Sequence, residues 1–94
     1  METNGMANAE VRITHAIGLH ARPCVKLTKL AKTFSSDIRL NATSKPDWID
    51  AKSIVKVMAL KAKAGETLSF QAEGEDAHSA VQELVALVER DFDE

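Results

Sequence analysis

Residues 18–23 read Gly-Leu-His-Ala-Arg-Pro and bring a histidine, an arginine and a proline close together. Glycine lets the backbone turn sharply, and a helix tolerates proline only in its first turn, so His20 is expected at a helix N-terminus. Unpaired N–H groups and the positive end of the helix dipole favour an anion there. A neutral imidazole is nucleophilic near pH 7, and the Arg22 guanidinium can hold a phosphoryl group through parallel hydrogen bonds. The segment therefore predicts a histidine that accepts a phosphoryl group.

A lone histidine at a helix start has a simpler interpretation as a cap or a surface residue. The grouping with Gly18, Arg22 and Pro23 favours the chemical interpretation over that one. No Ser/His/Asp or Cys/His arrangement has comparable support in the sequence, which disfavours a hydrolase.

The elements that must position this segment follow from the spacing of apolar residues. Strands are predicted where apolar and polar residues alternate, at 11–14, 38–40, 48–51 and 67–72. Residues 41–47 are turn-forming types between the second and third strands. Helices are predicted over 21–34, over 54–60 after an N-cap at Ser53, and from 77 after an N-cap at Asp76. The order β-α-β-β-α-β-α favours an α+β open-faced sandwich with the helices on one face of the sheet.

The composition is that of a single globular domain, with 45% hydrophobic and 28% charged residues in a chain of 94. Residues 1–9 are small and polar and are interpreted as a disordered arm, which leaves the domain at 10–94. No apolar run is long enough to cross a membrane, and no secretory signal is recognised. One cysteine excludes an internal disulfide framework and favours a reducing cytoplasm. We expect a cytoplasmic monomer without a cofactor.

The net charge of −2 hides a strong asymmetry along the chain. Residues 1–65 hold 11 basic and 5 acidic residues (net +6), whereas residues 66–94 hold 1 basic and 9 acidic residues (net −8). The basic residues cluster at 22–32 and 52–63, which indicates either attraction to an acidic partner or simply solvated helix faces. Nucleic acid is a poor fit, because only 3 Phe and 1 Trp are available for base stacking.

Two motifs resemble those of the HPr family, the histidine phosphocarriers of the bacterial phosphoenolpyruvate-dependent phosphotransferase system. Residues 18–23 resemble the family's active-site signature, and residues 52–60 (Lys-Ser-Ile-Val-Lys-Val-Met-Ala-Leu) resemble its regulatory-serine signature. The spacing of the two motifs fits the family over residues 10–92. The resemblance implies four antiparallel strands with three helices, and a protein that is a substrate of phosphotransferases rather than an enzyme.

The resemblance also implies roles for individual residues. His20 would take a phosphoryl group on Nδ1 from phosphorylated Enzyme I and pass it to an Enzyme IIA domain, with Arg22 supporting the group. Ser53 would be phosphorylated by HPr kinase/phosphorylase with ATP, although an N-cap serine needs no such role. Some apolar residues of its helix are expected to be exposed, because they fall on more than one face. The residues assigned to partner docking are Ile54, Val55, Lys56, Met58, Lys29 and Lys32.

Some positions depart from the family pattern or stand beside it. Cys24 replaces the usual alanine and is predicted to be a small buried hydrophobe. Ile17 replaces a polar residue, so a hydrogen bond from this turn to the serine helix is expected to be missing. His15 and His78 are interpreted as surface residues. No metal site is expected, because His15, His20 and Cys24 are too few ligands on different elements.

A second interpretation is a regulatory binding module of the same fold, in the nitrogen-related branch of the system, which acts by docking rather than in sugar transport. The presence of both His20 and Arg22 favours the carrier. Both the sugar-transport branch and the nitrogen-related branch are compatible with these residues.

Overall fold

A computed structural model describes residues 5–94, which form four β-strands, three α-helices and a short 3₁₀ helix. They are, in chain order, β1 (Gly5–Arg12), α1 (Ala21–Lys32), β2 (Asp37–Ala42), β3 (Lys45–Asp50), α2 (Ile54–Leu60), β4 (Thr67–Gly74), α3 (Ala77–Glu89) and the 3₁₀ helix Asp91–Asp93. The strands form one antiparallel sheet in the order β1-β4-β2-β3. The predicted α+β open-faced sandwich with the order β-α-β-β-α-β-α is confirmed.

The core lies between one face of the sheet and the helices. Alternate strand residues are buried, as the period of two in a strand requires, and they include Ile38, Leu40, Leu68 and Phe70. Helical residues at intervals of three and four complete the core, among them Leu27, Ala31, Ala80, Leu84 and Val88. Each large apolar side chain buried in this way stabilises the fold by about 1.5–3 kcal/mol.

The first strand begins at Gly5, so the expected disordered arm was wrong for residues 5–9, and the expected strand at 11–14 was placed too late. Residues 1–4 of that arm lie outside the described residues. β1 pairs with β4 along its whole length, from Gly5 opposite Gly74 to Arg12 opposite Thr67. Ala7 faces the core at 4% exposure, and its small side chain suits a strand that packs against α3. Alanine gives only a weak hydrophobic alternation, which is why the pattern was missed.

The turn between β2 and β3 is shorter than the predicted 41–47, because only Thr43 and Ser44 separate the two strands. Pro46 suggested a turn but lies within β3. β3 is an edge strand, and proline is tolerated there because one side of the backbone needs no partner.

The carboxylate of Asp76 precedes α3 as predicted, but it does not cap the helix within the described structure. It accepts hydrogen bonds from the Ser35 N–H at 2.9 Å, the Ser36 N–H at 3.0 Å and the Ser36 hydroxyl. The loop between α1 and β2 is thereby tied to the start of α3. These hydrogen bonds, chiefly that from the Ser36 hydroxyl, lower the pKa of Asp76 to about 2.

Replacement of Asp76 by asparagine is expected to lower the melting temperature at neutral pH. The lowered pKa of Asp76 contributes stability that is present above the unfolded pKa of about 4 and is lost as the pH falls towards 2. The difference in melting temperature between wild type and Asp76→Asn should therefore narrow over that range. Thermal melts of both proteins at several pH values test this, with Glu75→Gln as the neighbouring exposed control. A difference that stays constant down to pH 2 would contradict the assignment.

Candidate functional site

The turn between β1 and α1 is fastened to the segment that follows α2. The Gly18 N–H donates to the His15 carbonyl at 3.0 Å, and the Leu19 N–H donates to the Ala62 carbonyl at 2.8 Å. Gly18 has φ +83°, and a Cβ at this position would lie 2.7 Å from the Ala62 carbonyl oxygen. Only glycine fits here without strain, because the backbone is left-handed and its neighbour is too close.

His20 is the residue that immediately precedes α1, as the sequence predicted. Its backbone is extended (φ −116°, ψ −167°), and its carbonyl accepts the Cys24 N–H at 2.9 Å. The residue is half-buried, and its Nε2 atom is fully buried without a hydrogen-bond partner among residues 5–94. The N–H groups of Ala21 and Arg22 have no acceptor within the helix, because the first turn of a helix has none. They are therefore donors next to the imidazole.

Arg22 lies on the first turn of α1 with 77% of its side chain exposed. Its Nε is 3.4 Å from a carboxylate oxygen of Glu94, and the other Glu94 oxygen pairs with Lys26. Lys26 also donates to the Phe92 carbonyl at 2.8 Å, which joins α1 to the 3₁₀ helix. The hydrogen bond from Lys26, helped by the positive charges of Arg22 and Lys26, lowers the pKa of Glu94. An anion therefore already lies beside Arg22, and the exposed guanidinium is free to turn towards another anion while Lys26 keeps its pair with Glu94.

His15 is partly exposed at the surface, as expected, and its ring lies beside that of His20. Their ring centroids are 5.6 Å apart with the planes at 45°. The Ile17 N–H donates to the His15 Nδ1 atom at 3.3 Å. The sequence feature that could have indicated this contact is the presence of one histidine before Gly18 and another after it. His78, in contrast, is exposed at the start of α3, as expected.

The helix α2 carries the second motif, and Ser53 is its N-cap as predicted, since its hydroxyl accepts the Lys56 N–H at 3.3 Å. Val55 is 75% exposed and Met58 is 44% exposed, and Ile54 is partly exposed. The expectation that apolar residues of this helix are exposed is therefore confirmed.

A shallow pocket of about 290 Å³ joins the two motifs. His20, Ile17, Met58, Lys61 and Lys63 are among the residues that line it. Ile17 is 70% exposed, so its side chain extends the apolar surface of α2 towards the histidine. The tertiary structure thus makes one surface of two segments that are about thirty residues apart in the sequence.

Some lysines on α1 and near α2 are exposed to solvent, whereas others bond to backbone or carboxylate oxygens elsewhere in the fold. Lys29, Lys32 and Lys56 are exposed on α1 and α2. Lys52 instead donates its Nζ proton to the Phe34 carbonyl at 2.8 Å, and Lys26 is paired as described above. The two basic clusters thus contain exposed lysines as well as lysines that hold the fold together.

Cys24 is fully buried, as predicted. Burial raises the pKa of its thiol to about 11, so the thiol stays protonated and unreactive at neutral pH. Within the described range 5–94, no group of three or more His, Cys, Asp or Glu side chains is placed to hold a metal ion.

The side chain of Ile17 has no polar group, so it makes no hydrogen bond to α2, as the sequence predicted. The Ile17 backbone N–H bonds to His15 instead. The bond from Leu19 to Ala62 links the turn to the end of the α2 region through the backbone alone.

The helix start with its free N–H groups, the half-buried imidazole and the exposed guanidinium together suit the binding of an anionic group. The family described as PTS HPr component phosphorylation site matches residues 7–90. The phosphocarrier protein HPr of Cupriavidus necator is 37% identical over 89 residues, which are 95% of this chain and 98% of that protein. A multiphosphoryl transfer protein of Vibrio cholerae is 46% identical over 77 residues, which are 81% of this chain and 19% of that protein.

The solved structures point to the same family. The crystal structure of HPr from Thermoanaerobacter tengcongensis superposes with a TM-score of 0.85 and 34% identity, covering 94% of this chain and 97% of that one. The chain belongs to the HPr family, the phosphocarriers of the phosphotransferase system. Proteins of this family carry a phosphoryl group and are not themselves catalysts, and the relatives do not favour the alternative of a module that acts only by docking. No helix among residues 5–94 is long and apolar enough to span a membrane.

Proposed function

We propose that His20 accepts a phosphoryl group on Nδ1 from phosphorylated Enzyme I and passes it to an Enzyme IIA domain. The observation that carries this proposal is the burial of the other ring nitrogen. Because Nε2 of His20 is buried and unpartnered among the described residues, a donor arriving from solvent meets Nδ1. In the transfer, the Nδ1 lone pair forms the new bond to phosphorus while the bond from phosphorus to the donor breaks, and the donor keeps that electron pair.

The charge that arrives with the phosphoryl group is received by groups already in place. The N–H groups of Ala21 and Arg22 point from the first turn of α1, which contains no acidic residue. The Arg22 guanidinium is exposed and can exchange the Glu94 carboxylate for phosphoryl oxygens. Both donors act without moving the backbone, so little reorganisation accompanies the transfer.

Incubation of the full chain with Enzyme I and labelled phosphoenolpyruvate tests the proposal. A phosphorus bonded to an imidazole nitrogen should give a label that is lost in acid and stable in base. Peptide mapping should place this label on residues 18–23, and addition of an Enzyme IIA domain should remove it. Absence of label on the wild-type chain would overturn the proposal.

Partner docking is proposed for the surface made by the exposed side chains of α1 and α2. Met58 and Ile17 supply exposed apolar area next to His20. Val55 adds exposed apolar area on the same helix as Met58, and Ile54 is half-buried on that helix. Lys29, Lys32 and Lys56 are exposed on the same two helices and add positive charge, which favours an acidic partner. An apolar centre within a charged rim suits a transient encounter that must separate after transfer.

Phosphorylation of Ser53, by HPr kinase/phosphorylase where this enzyme is present, is proposed to weaken that docking. Its side chain lies at the start of α2, where the helix dipole tolerates a phosphate. The added negative charge would lie at the start of the helix that carries Val55 and Lys56, and it would oppose an acidic partner.

Replacement of Ser53 by aspartate is expected to lower kcat/KM for transfer from Enzyme I by about 10- to 100-fold. Aspartate still caps a helix, so the melting temperature should change little. Steady-state transfer kinetics measure the effect, and Ser53→Ala is the control because it removes the hydroxyl without adding charge. Equal kcat/KM values for the aspartate variant and wild type would rule out this form of regulation.

A further inference from the structure

His15 has two hydrogen bonds to the turn that leads into His20. Its carbonyl accepts the Gly18 N–H at 3.0 Å, and its Nδ1 accepts the Ile17 N–H at 3.3 Å. A neutral histidine whose Nδ1 is an acceptor carries its proton on Nε2. The hydrogen bond from Ile17 therefore sets both the tautomer and the orientation of the His15 ring.

The oriented ring of His15 packs against the ring of His20. Their centroid separation of 5.6 Å and interplanar angle of 45° lie within the range of tilted aromatic pairs. The final torsion of a histidine side chain is soft, and a reactive imidazole is normally oriented by a hydrogen bond to its second nitrogen. That bond is missing from the described structure, because Nε2 of His20 has no partner. Packing must therefore orient the His20 ring.

We propose that His15 is a positioning residue, whose ring, held by the Ile17 N–H, orients the imidazole of His20 for phosphoryl transfer. The inference rests on the proposed function, in which His20 is the acceptor. His15 acts through His20 and does not contact the phosphoryl donor. Its removal should therefore lower the rate of the transfer step and leave the binding of Enzyme I unchanged.

Two substitutions distinguish the contribution of the His15 ring from that of its hydrogen bond. In His15→Asn, the side-chain oxygen can accept the N–H two residues later, as in an Asx turn, so the turn is kept and the ring is lost. In His15→Phe, the ring is kept and the acceptor is lost. We expect kcat to fall about tenfold in His15→Asn with KM unchanged, and to fall only about threefold in His15→Phe, which keeps the packing ring but loses the bond that holds it. His78→Asn, which removes an exposed histidine on α3, should have no effect.

The inference is overturned if His15→Asn retains the wild-type kcat, or if His15→Phe is as slow as His15→Asn. A second measurement needs no phosphotransfer at all. The NMR signals of the His20 ring in the unphosphorylated protein should shift in His15→Asn and stay in place in His78→Asn, and the absence of a shift would exclude the contact. A wild-type chain that takes no label would instead refute the proposed function, while this NMR result would still report on the ring contact.

Discussion

His20→Ala and His20→Gln are expected to lose phosphoryl acceptance altogether, with labelling from Enzyme I at least about 10³-fold below wild type. Neither replacement side chain has a nucleophilic ring nitrogen, and no other histidine lies at the first turn of α1. His15 is near the site, but its Nδ1 already accepts the Ile17 N–H. It is therefore not expected to replace His20 as the acceptor.

The same substitutions should not destabilise the protein. The His20 side chain makes no capping hydrogen bond within the described structure, and its buried Nε2 is unsatisfied. Removal of an unsatisfied buried polar atom is close to neutral for stability, or slightly favourable. Acid-labile label and thermal melts measured on the same samples would separate loss of chemistry from loss of fold. His78→Ala is the matched control, and wild-type labelling of His20→Ala would refute the assignment of the acceptor.

The second large effect is expected at Gly18, whose replacement by alanine should damage both stability and transfer. An L-residue in the left-handed region costs about 1–2 kcal/mol, and crowding against a fixed backbone atom costs about 1–3 kcal/mol more. The crowding arises because the new Cβ would lie 2.7 Å from the Ala62 carbonyl oxygen. Together these effects correspond to a fall in melting temperature on the order of 10–20 °C for a domain of this size. Transfer should slow as well, because Leu19 must leave Ala62 to relieve the contact.

Gly65→Ala is the matched control for this prediction. Gly65 also has a left-handed backbone, with φ +92°, but the nearest atom to its added Cβ is the Arg12 Nη2 at 4.0 Å. The difference between the two variants therefore measures the contact with Ala62 apart from the backbone strain. Equal melting temperatures for Gly18→Ala and Gly65→Ala would show that the approach to Ala62 does not constrain the turn.

The sequence predicted best where a feature depends on neighbours within a few residues. The start of α1 follows from Pro23, and the Ser53 cap precedes the apolar run that forms α2. β1 was misplaced because Ala7 and Ala9 carry little hydrophobic signal, although their pairing with β4 is continuous. Asp76 shows the opposite error, since it stands at the right place for a cap but bonds to Ser36, forty residues earlier. The local preference of aspartate for capping a helix was outweighed there by hydrogen bonds to a distant loop.

By itself, the sequence determined the order of the elements, the histidine at a helix start, the serine cap and the split between a basic and an acidic portion. These depend on side-chain type, backbone freedom and periodicity, which are local properties of the chain. Only the tertiary structure decided which segments meet. It placed Ala62 against Gly18, the Glu94 carboxylate beside Arg22 and the ring of His15 beside that of His20. Such contacts arise from the packing of sheet and helices around a shared core, and the spacing of residues along the chain carries no record of them.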